Sequence, residues 1–164
     1  GIKRIGLLYT PELFGDYVAT LKSLSRRSGI EIVDEAVTSP REFTTQFGKV
    51  VRKKIDLFLI LPDFRIYDEQ ATRYTLLNSF KAGIPCTGPS AAFVKSGALW
   101  GLDVSLSGVG AQAAELLDQI LGGEQVPPWR DARATELSLN TGTAEKLAID
   151  VSRAVLQAAV RVTP

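Results

Sequence analysis

Histidine is absent and there is one cysteine, so any chemistry here must come from carboxylates, hydroxyls and aromatic rings. That composition removes the commonest metal ligand and the commonest general base. Cys86 lies in Ile84-Pro-Cys-Thr87, which reads as a buried strand with the thiol as a small core residue. The remaining candidates follow four of the apolar runs. Tyr9, Thr10, Glu12, Phe14, Gly15 and Asp16 follow the first, Asp63 and Phe64 the third, Pro89 and Ser90 the fourth, and Asp103 the fifth. Asp16 and Ser90 also read as helix N-caps, and Pro62, Gly88 and Pro89 as residues that shape turns.

Two catalytic readings of these positions lack their partners. A receiver-like phosphoacceptor at Asp63, with Thr87 ending the next strand, needs an acidic pair where Tyr9-Thr10 stands and a lysine where Leu102-Asp103 stands. A nucleotide enzyme needs a glycine-rich phosphate loop, yet no such loop follows the first strand, and Lys95-Ser96 is preceded by Val94 instead of glycine. No catalytic residue, metal ligand or cofactor is assigned.

The elements that must position these residues follow from periodicity. Ile5-Gly-Leu-Leu-Tyr9 is a strand, Tyr17, Val18, Leu21 and Leu24 share one helical face, and Ile30-Glu-Ile-Val33 is the next strand, which makes a βαβ unit. Ser39-Pro-Arg-Glu42 predicts a capping box ahead of a helix whose stripe is Phe43, Phe47, Val50 and Val51. Leu57-Phe-Leu-Ile-Leu61 is apolar on both faces, as a central parallel strand requires. A helix over 68–81, a strand over 85–87, a short helix from Ser90, a strand over 98–102 and a helix over 109–121 complete the pattern. The implied fold is α/β, a doubly wound, mostly parallel five-stranded sheet in the order 2-1-3-4-5. A tail over 124–164 reads as a strand and two helices, the last capped at Asp150. The expected core comprises Ile5, Leu7, Ile32, Leu57, Leu59, Ile84, Leu99, Leu116, Leu117 and Ile120. In such a sheet ligands bind beyond the carboxyl ends of the strands, where helix N-termini and loop amides converge.

At 164 residues and 45% hydrophobic content the chain predicts one domain. With 19 basic and 18 acidic residues it has no strong charge bias, and Arg26-Arg27 and Arg52-Lys-Lys54 fall at helix ends, where they complement the dipole. Nucleic acid is not an expected partner. No apolar run is long enough for a membrane span and no signal-peptide pattern is present. The chain begins at Gly1 and contains no methionine, so an upstream segment or leader is expected.

Taken in order, Ile2-Lys-Arg-Ile-Gly-Leu-Leu-Tyr-Thr-Pro-Glu12, Ile55-Asp-Leu-Phe-Leu-Ile-Leu-Pro-Asp63, Gly83-Ile-Pro85, Gly97-Ala-Leu-Trp-Gly-Leu-Asp103, the Gly108–Gly123 helix, and Leu137-Ser-Leu-Asn140 with Ala144-Glu-Lys-Leu147 resemble the C-terminal half of ABC-transporter substrate-binding proteins of the tryptophan/tyrosine type. The resemblance implies one lobe of a type I periplasmic binding protein over 1–164 that is no enzyme. It further implies a small-molecule ligand, with amino-acid-like compounds among the candidates, a role in transport or sensing, an ABC permease as partner, and a periplasmic or envelope-associated location. Only the second half is matched, so either a homodimer or a missing first lobe is expected, with the tail packing on the lobe or on a second copy. In that family the loop after the first strand carries a Glu, which Glu12 matches, and an Asn-Ser pair, replaced here by Phe14-Gly15-Asp16. The Asp-Tyr pair after the fifth strand is Asp103-Val104. A ligand carboxylate would meet Glu12 and Asp16, so a ligand neutral or cationic at that end is expected. A non-catalytic interaction module that has kept the lobe is the alternative.

Overall fold

Each apolar run becomes a strand and each amphipathic stretch a helix in the computed structural model, which describes residues 1–163. In chain order these are β1 (Arg4–Tyr9), α1 (Pro11–Arg27), β2 (Glu31–Ala36), α2 (Phe43–Arg52), β3 (Leu57–Leu59), α3 (Glu69–Lys81), β4 (Cys86–Gly88), α4 (Ala91–Lys95) and β5 (Trp100–Val104). They are followed by α5 (Leu106–Leu121), β6 (Thr135–Asn140), α6 (Thr141–Lys146), α7 (Arg153–Ala158) and β7 (Arg161–Thr163). One sheet runs β2-β1-β3-β4-β5-β6-β7. Its first five strands are parallel in the expected order, β6 is antiparallel to β5, and β7 is parallel to β6.

The five-stranded expectation is thus corrected to seven. The tail gives two strands instead of one because Arg161–Thr163 pairs with the expected strand β6, from Ser138 with Arg161 to Asn140 with Thr163. Such pairing is long-range context that local periodicity does not carry. The last helix is capped by Ser152, whose Oγ accepts from Val155 N at 3.4 Å, and not by Asp150. The capping box at Ser39 is also rearranged. Ser39 caps a 3-10 turn over Pro40–Glu42, and the Glu42 carboxylate accepts from Thr38 N and Thr38 Oγ1 at 3.3 and 2.9 Å.

Two clusters sandwich the parallel strands. On one face Leu8, Phe58 and Ile60 meet Phe43, Phe47 and Val50 of α2 and Leu76 of α3. On the other, Leu7 and Leu61 meet Val18 of α1, with Leu21, Ile32 and Leu59 partly buried around them. Farther along, α4 lies directly on the sheet over the paired Gly88 and Gly101. A Cβ at Gly88 would sit 2.5 Å from Phe93 Cβ, and one at Gly101 2.8 Å from Ser90 O. Bare backbone there lets the start of α4 reach the strand ends.

Of the expected core, Leu7, Leu57, Ile84 and Leu99 are buried, whereas Ile5, Ile32, Leu59 and Leu116 are half-buried. Leu117 and Ile120 are corrected outright, with 55% and 53% exposure. Their helix, α5, rests on its own return segment: Gln112, its buried residue, donates to Asp131 O at 2.9 Å and accepts from Arg133 N at 3.1 Å.

Candidate functional site

The carboxyl ends of β1 and β3 are fastened together by one buried side chain. Asp63, with no exposed surface, accepts at Oδ2 from both Thr10 N and Thr10 Oγ1 at 2.7 Å, and at Oδ1 from Arg65 N at 3.2 Å. Three donors on a buried carboxylate fix both loops. Its full burial also keeps the carboxylate out of reach of a phosphodonor, so the receiver-like reading lacks an accessible acceptor as well as its partners.

A second clasp joins β5 to α4, with Asp103 Oδ2 accepting from Ala91 N at 2.6 Å and lying 4.0 Å from the Arg161 guanidinium. Asp103 therefore does the N-capping that Ser90 does not, since the Ser90 side chain makes no cap bond. Ser90 and Pro89 are half-buried between the clasps. Free of that duty, the Ser90 hydroxyl is available at the strand ends.

α1 begins at Pro11, so Asp16 is the helix's sixth residue and not its start. It is exposed more than a turn beyond the N-terminus, where the dipole has faded. Of the amides a helix start leaves unpaired, Thr10 N is held by Asp63, Pro11 has no N–H, and Leu13 N donates to Thr10 O at 3.2 Å. Glu12 N is the one left, under its own exposed carboxylate. This helix start is poorly equipped to hold an anion.

The aromatic candidates separate. Phe14 packs against the Leu7, Val18 and Leu61 cluster and meets Tyr17 edge-on at 6.2 Å. Tyr9 is half-buried on the same side, its phenol raised above the ordinary value by burial and by the nearby Asp34 carboxylate. Phe64 instead stands 78% exposed beside the Asp63 clasp. Gly15 has open space where a side chain would go. Strand-end geometry thus brings Glu12 and Phe64 to the surface, sets Tyr9, Phe14, Pro89 and Ser90 half-buried around them, and gives Thr10, Asp63 and Asp103 structural duties. Cys86 is buried, and burial pushes its thiol up to about 12, which makes it inert.

Sequence reasoning places the stripe of the last long helix in the core or against a second copy, and in this chain the helix projects. α5 leaves the carboxyl end of β5 and exposes Leu106 at 84% with Val109, Leu117, Ile120 and Leu121. Its apolar stripe was the signal, and no local pattern says what covers a stripe.

A family model described as ABC transporter substrate binding protein matches residues 1–163. Comparison with curated proteins gives no match. Among solved structures the chain is similar to a conserved domain protein of Vibrio cholerae, with 24% identity, a TM-score of 0.76, and 99% of this chain covering 55% of that one. It is similar to the ABC domain from Streptococcus pneumonia in complex with L-Trp, with 21% identity, a TM-score of 0.74, and 98% against 55% coverage. It is also similar to a ligand-free, open substrate-binding protein with adhesive properties from Clostridium difficile, with 20% identity, a TM-score of 0.77, and 99% against 55% coverage. These likenesses show the fold, and the chain spans about half the length of each matched structure.

Proposed function

We propose, since this chain belongs to the family of ABC transporter substrate-binding proteins, that residues 1–164 form a single non-catalytic lobe that holds a small solute at its strand ends and delivers it to an ABC permease outside the cytoplasm. The observation that carries this reading is the doubly clasped strand-end face, with Thr10 tied to Asp63 and Ala91 to Asp103. Rigid loops of this kind preorganise a surface for a ligand without supplying a nucleophile or a base. Glu12, Phe64 and Ser90 are the contacting groups, with Tyr9, Phe14, Gly15, Asp16 and Pro89 shaping the surroundings. Phe64 offers a stacking surface, which suits an aromatic or apolar solute such as the L-Trp named for the Streptococcus pneumonia structure.

With one free amide at the start of α1 and the Glu12 carboxylate above it, the ligand end placed there is neutral or cationic. The other wall of the cleft comes from a complementary lobe seated against α5, supplied either by more of the same protein or by a second copy. Calorimetry with a panel of amino acids and the corresponding amines tests the site. Amines should bind more tightly than the matching carboxylates, and Glu12→Gln should improve carboxylate binding about two- to fivefold, the size of an exposed helix-end charge effect. Asp16→Ser, more than a turn farther in, should change it less. Tight carboxylate binding indifferent to Glu12→Gln and Phe64→Ala would refute the placement.

The non-catalytic interaction module remains as a second reading because Phe64 and Leu106 are both largely exposed near the strand ends. It is favoured if no amino acid or amine binds while a protein partner protects Phe64 from solvent.

A further inference from the structure

The face opposite α1 carries a cavity of about 630 Å³ that starts at Tyr67 and Asp68, just past the Asp63 loop, and runs between α3, the Ser96-Gly97 turn and α6. It exists because the neighbours of the 13-residue α3 are short: α4 has five residues and α6 has six, too few to cover α3's flank. Leu76 is buried there while Leu77 and Phe80 remain open at 48% and 38% exposure. The opposite wall is fixed by hydrogen bonds. Asn140 donates to Val94 O at 3.0 Å and accepts from Thr143 N at 2.7 Å, and Thr143 Oγ1 donates to Gly97 O at 3.2 Å. Gly97 turns at φ +115°, a conformation that favours glycine. A groove with a pinned wall and an apolar flank is a preformed binding shape, and its volume falls in the range of small-molecule sites.

Charge runs along the groove. Asp68 and Glu69 lie at the N-terminal end of α3, where Asp68 is occupied in accepting from Ala71 N at 2.7 Å. Arg73 lines the middle of the groove one turn after Glu69, and the two form no ion pair with each other. About 16 Å farther along the helix, by its rise per residue, the groove ends at Phe80, Ser96 and Lys146, with Lys81 and Lys95 adjacent in sequence. Lys81, Lys95 and Lys146 join no ion pair among the described residues. They stand in the last turns of α3, α4 and α6, and three full charges exceed the roughly half charge of each helix end, so the apolar surface opens toward net positive charge.

We propose that this groove binds a small amphiphilic monocarboxylate, its apolar body on Leu76, Leu77 and Phe80 and its carboxylate at Lys146, since the Ser96 hydroxyl is spent on Ala92 O at 2.9 Å. This is the opposite charge preference to that of the strand-end site, and it does not depend on that site. The probe is 4-phenylbutyrate, titrated into the full chain by chemical-shift perturbation, with 4-phenylbutylamine as the charge-reversed control. Saturable binding with shifts at Phe80, Gly97 and Thr143 is expected, with the amine at least tenfold weaker. Lys146→Gln should weaken the acid about tenfold, as for the loss of one charge-assisted contact. Leu77→Ser should weaken acid and amine alike. Both side chains are exposed, so neither change endangers folding, and Phe64→Ala should leave the affinity unchanged. No saturation at millimolar probe, equal affinity for acid and amine at Phe80, Gly97 and Thr143, or loss of binding with Phe64→Ala instead of Lys146→Gln would each overturn the proposal.

Discussion

α2 and α5 carry the same message in sequence and meet opposite fates. Each is amphipathic, yet α2 buries Phe43, Phe47 and Val50 against β1 and β3, while α5 buries Gln112, half-buries Leu116 and leaves Leu106, Leu117, Ile120 and Leu121 in solvent. The difference lies in where the chain goes after each helix. α2 leads into a strand that joins the centre of the sheet, so its stripe is folded back onto that sheet. α5 leads into an antiparallel return along an edge, so the chain goes out and back without covering the stripe. Periodicity reports which face of a helix is apolar; topology decides whether this chain or another covers it.

The sharpest way to break that contrast is to delete matched apolar side chains on its two sides. Phe58→Ala, beneath α2 with no exposed surface, should cost about 3–5 kcal/mol in a denaturant melt, the range for a buried aromatic. Leu117→Ala on α5 should change stability by less than about 0.5 kcal/mol, as expected of an exposed site. Comparable losses would mean that α5 is covered in solution by a second copy or by the sheet. Sedimentation of the wild type and of Leu117→Asp separates these cases, since only the second copy makes the wild type heavier and the variant lighter.

A smaller effect is expected at the clasps that separate the well-packed half from the projecting one. Asp63→Asn keeps the shape but cannot accept from Thr10 N, Thr10 Oγ1 and Arg65 N as a carboxylate does. With a buried donor left poorly paired it should cost about 1–3 kcal/mol. Asp103→Asn, at a half-buried cap of a five-residue helix, should cost about 1 kcal/mol or less. If Asp63→Asn is neutral, the strand-end loops are not held by this carboxylate and the preorganised face loses its basis.

How far the sequence could be read follows the same division. The order of β1 to β5 was legible because each strand is a short apolar run between capped helices, and connection handedness leaves few ways to arrange them. β6 was legible as a returning strand, but β7 was not, because Arg161-Val-Thr163 is too short to carry a strand signal and the β6 edge supplies it instead. At the candidate site the loops were legible from the strand ends, but the duties of their residues were not. Asp63 and Asp103 look like ligand contacts in sequence, and which amide a carboxylate accepts from depends on a partner 53 residues away in one case and 12 in the other. Asp16 resembles a helix start in sequence, but Pro11 occupies the first turn, the position that proline favours, and starts α1 five residues earlier.

The smallest predicted effect belongs to the packed half and depends on pH. Asp56, just before β3, accepts at Oδ2 from Lys3 N at 2.7 Å and from Arg4 N at 2.8 Å, tying the start of β1 to the start of β3. These two backbone bonds favour the charged form and hold its carboxyl below the usual carboxylate range. A carboxyl lowered in the folded state contributes stability above its unfolded value, and that contribution fades as the pH falls through the folded one. The wild type should therefore lose its advantage over Asp56→Asn in acid, below the ordinary carboxylate range, and keep all of it at neutral pH. Urea midpoints of the two proteins measured from pH 7 down to pH 2 test this. Converging curves place the Lys3 and Arg4 anchor within the packed half, whereas a constant gap would mean that the Asp56→Asn variant loses something other than charge.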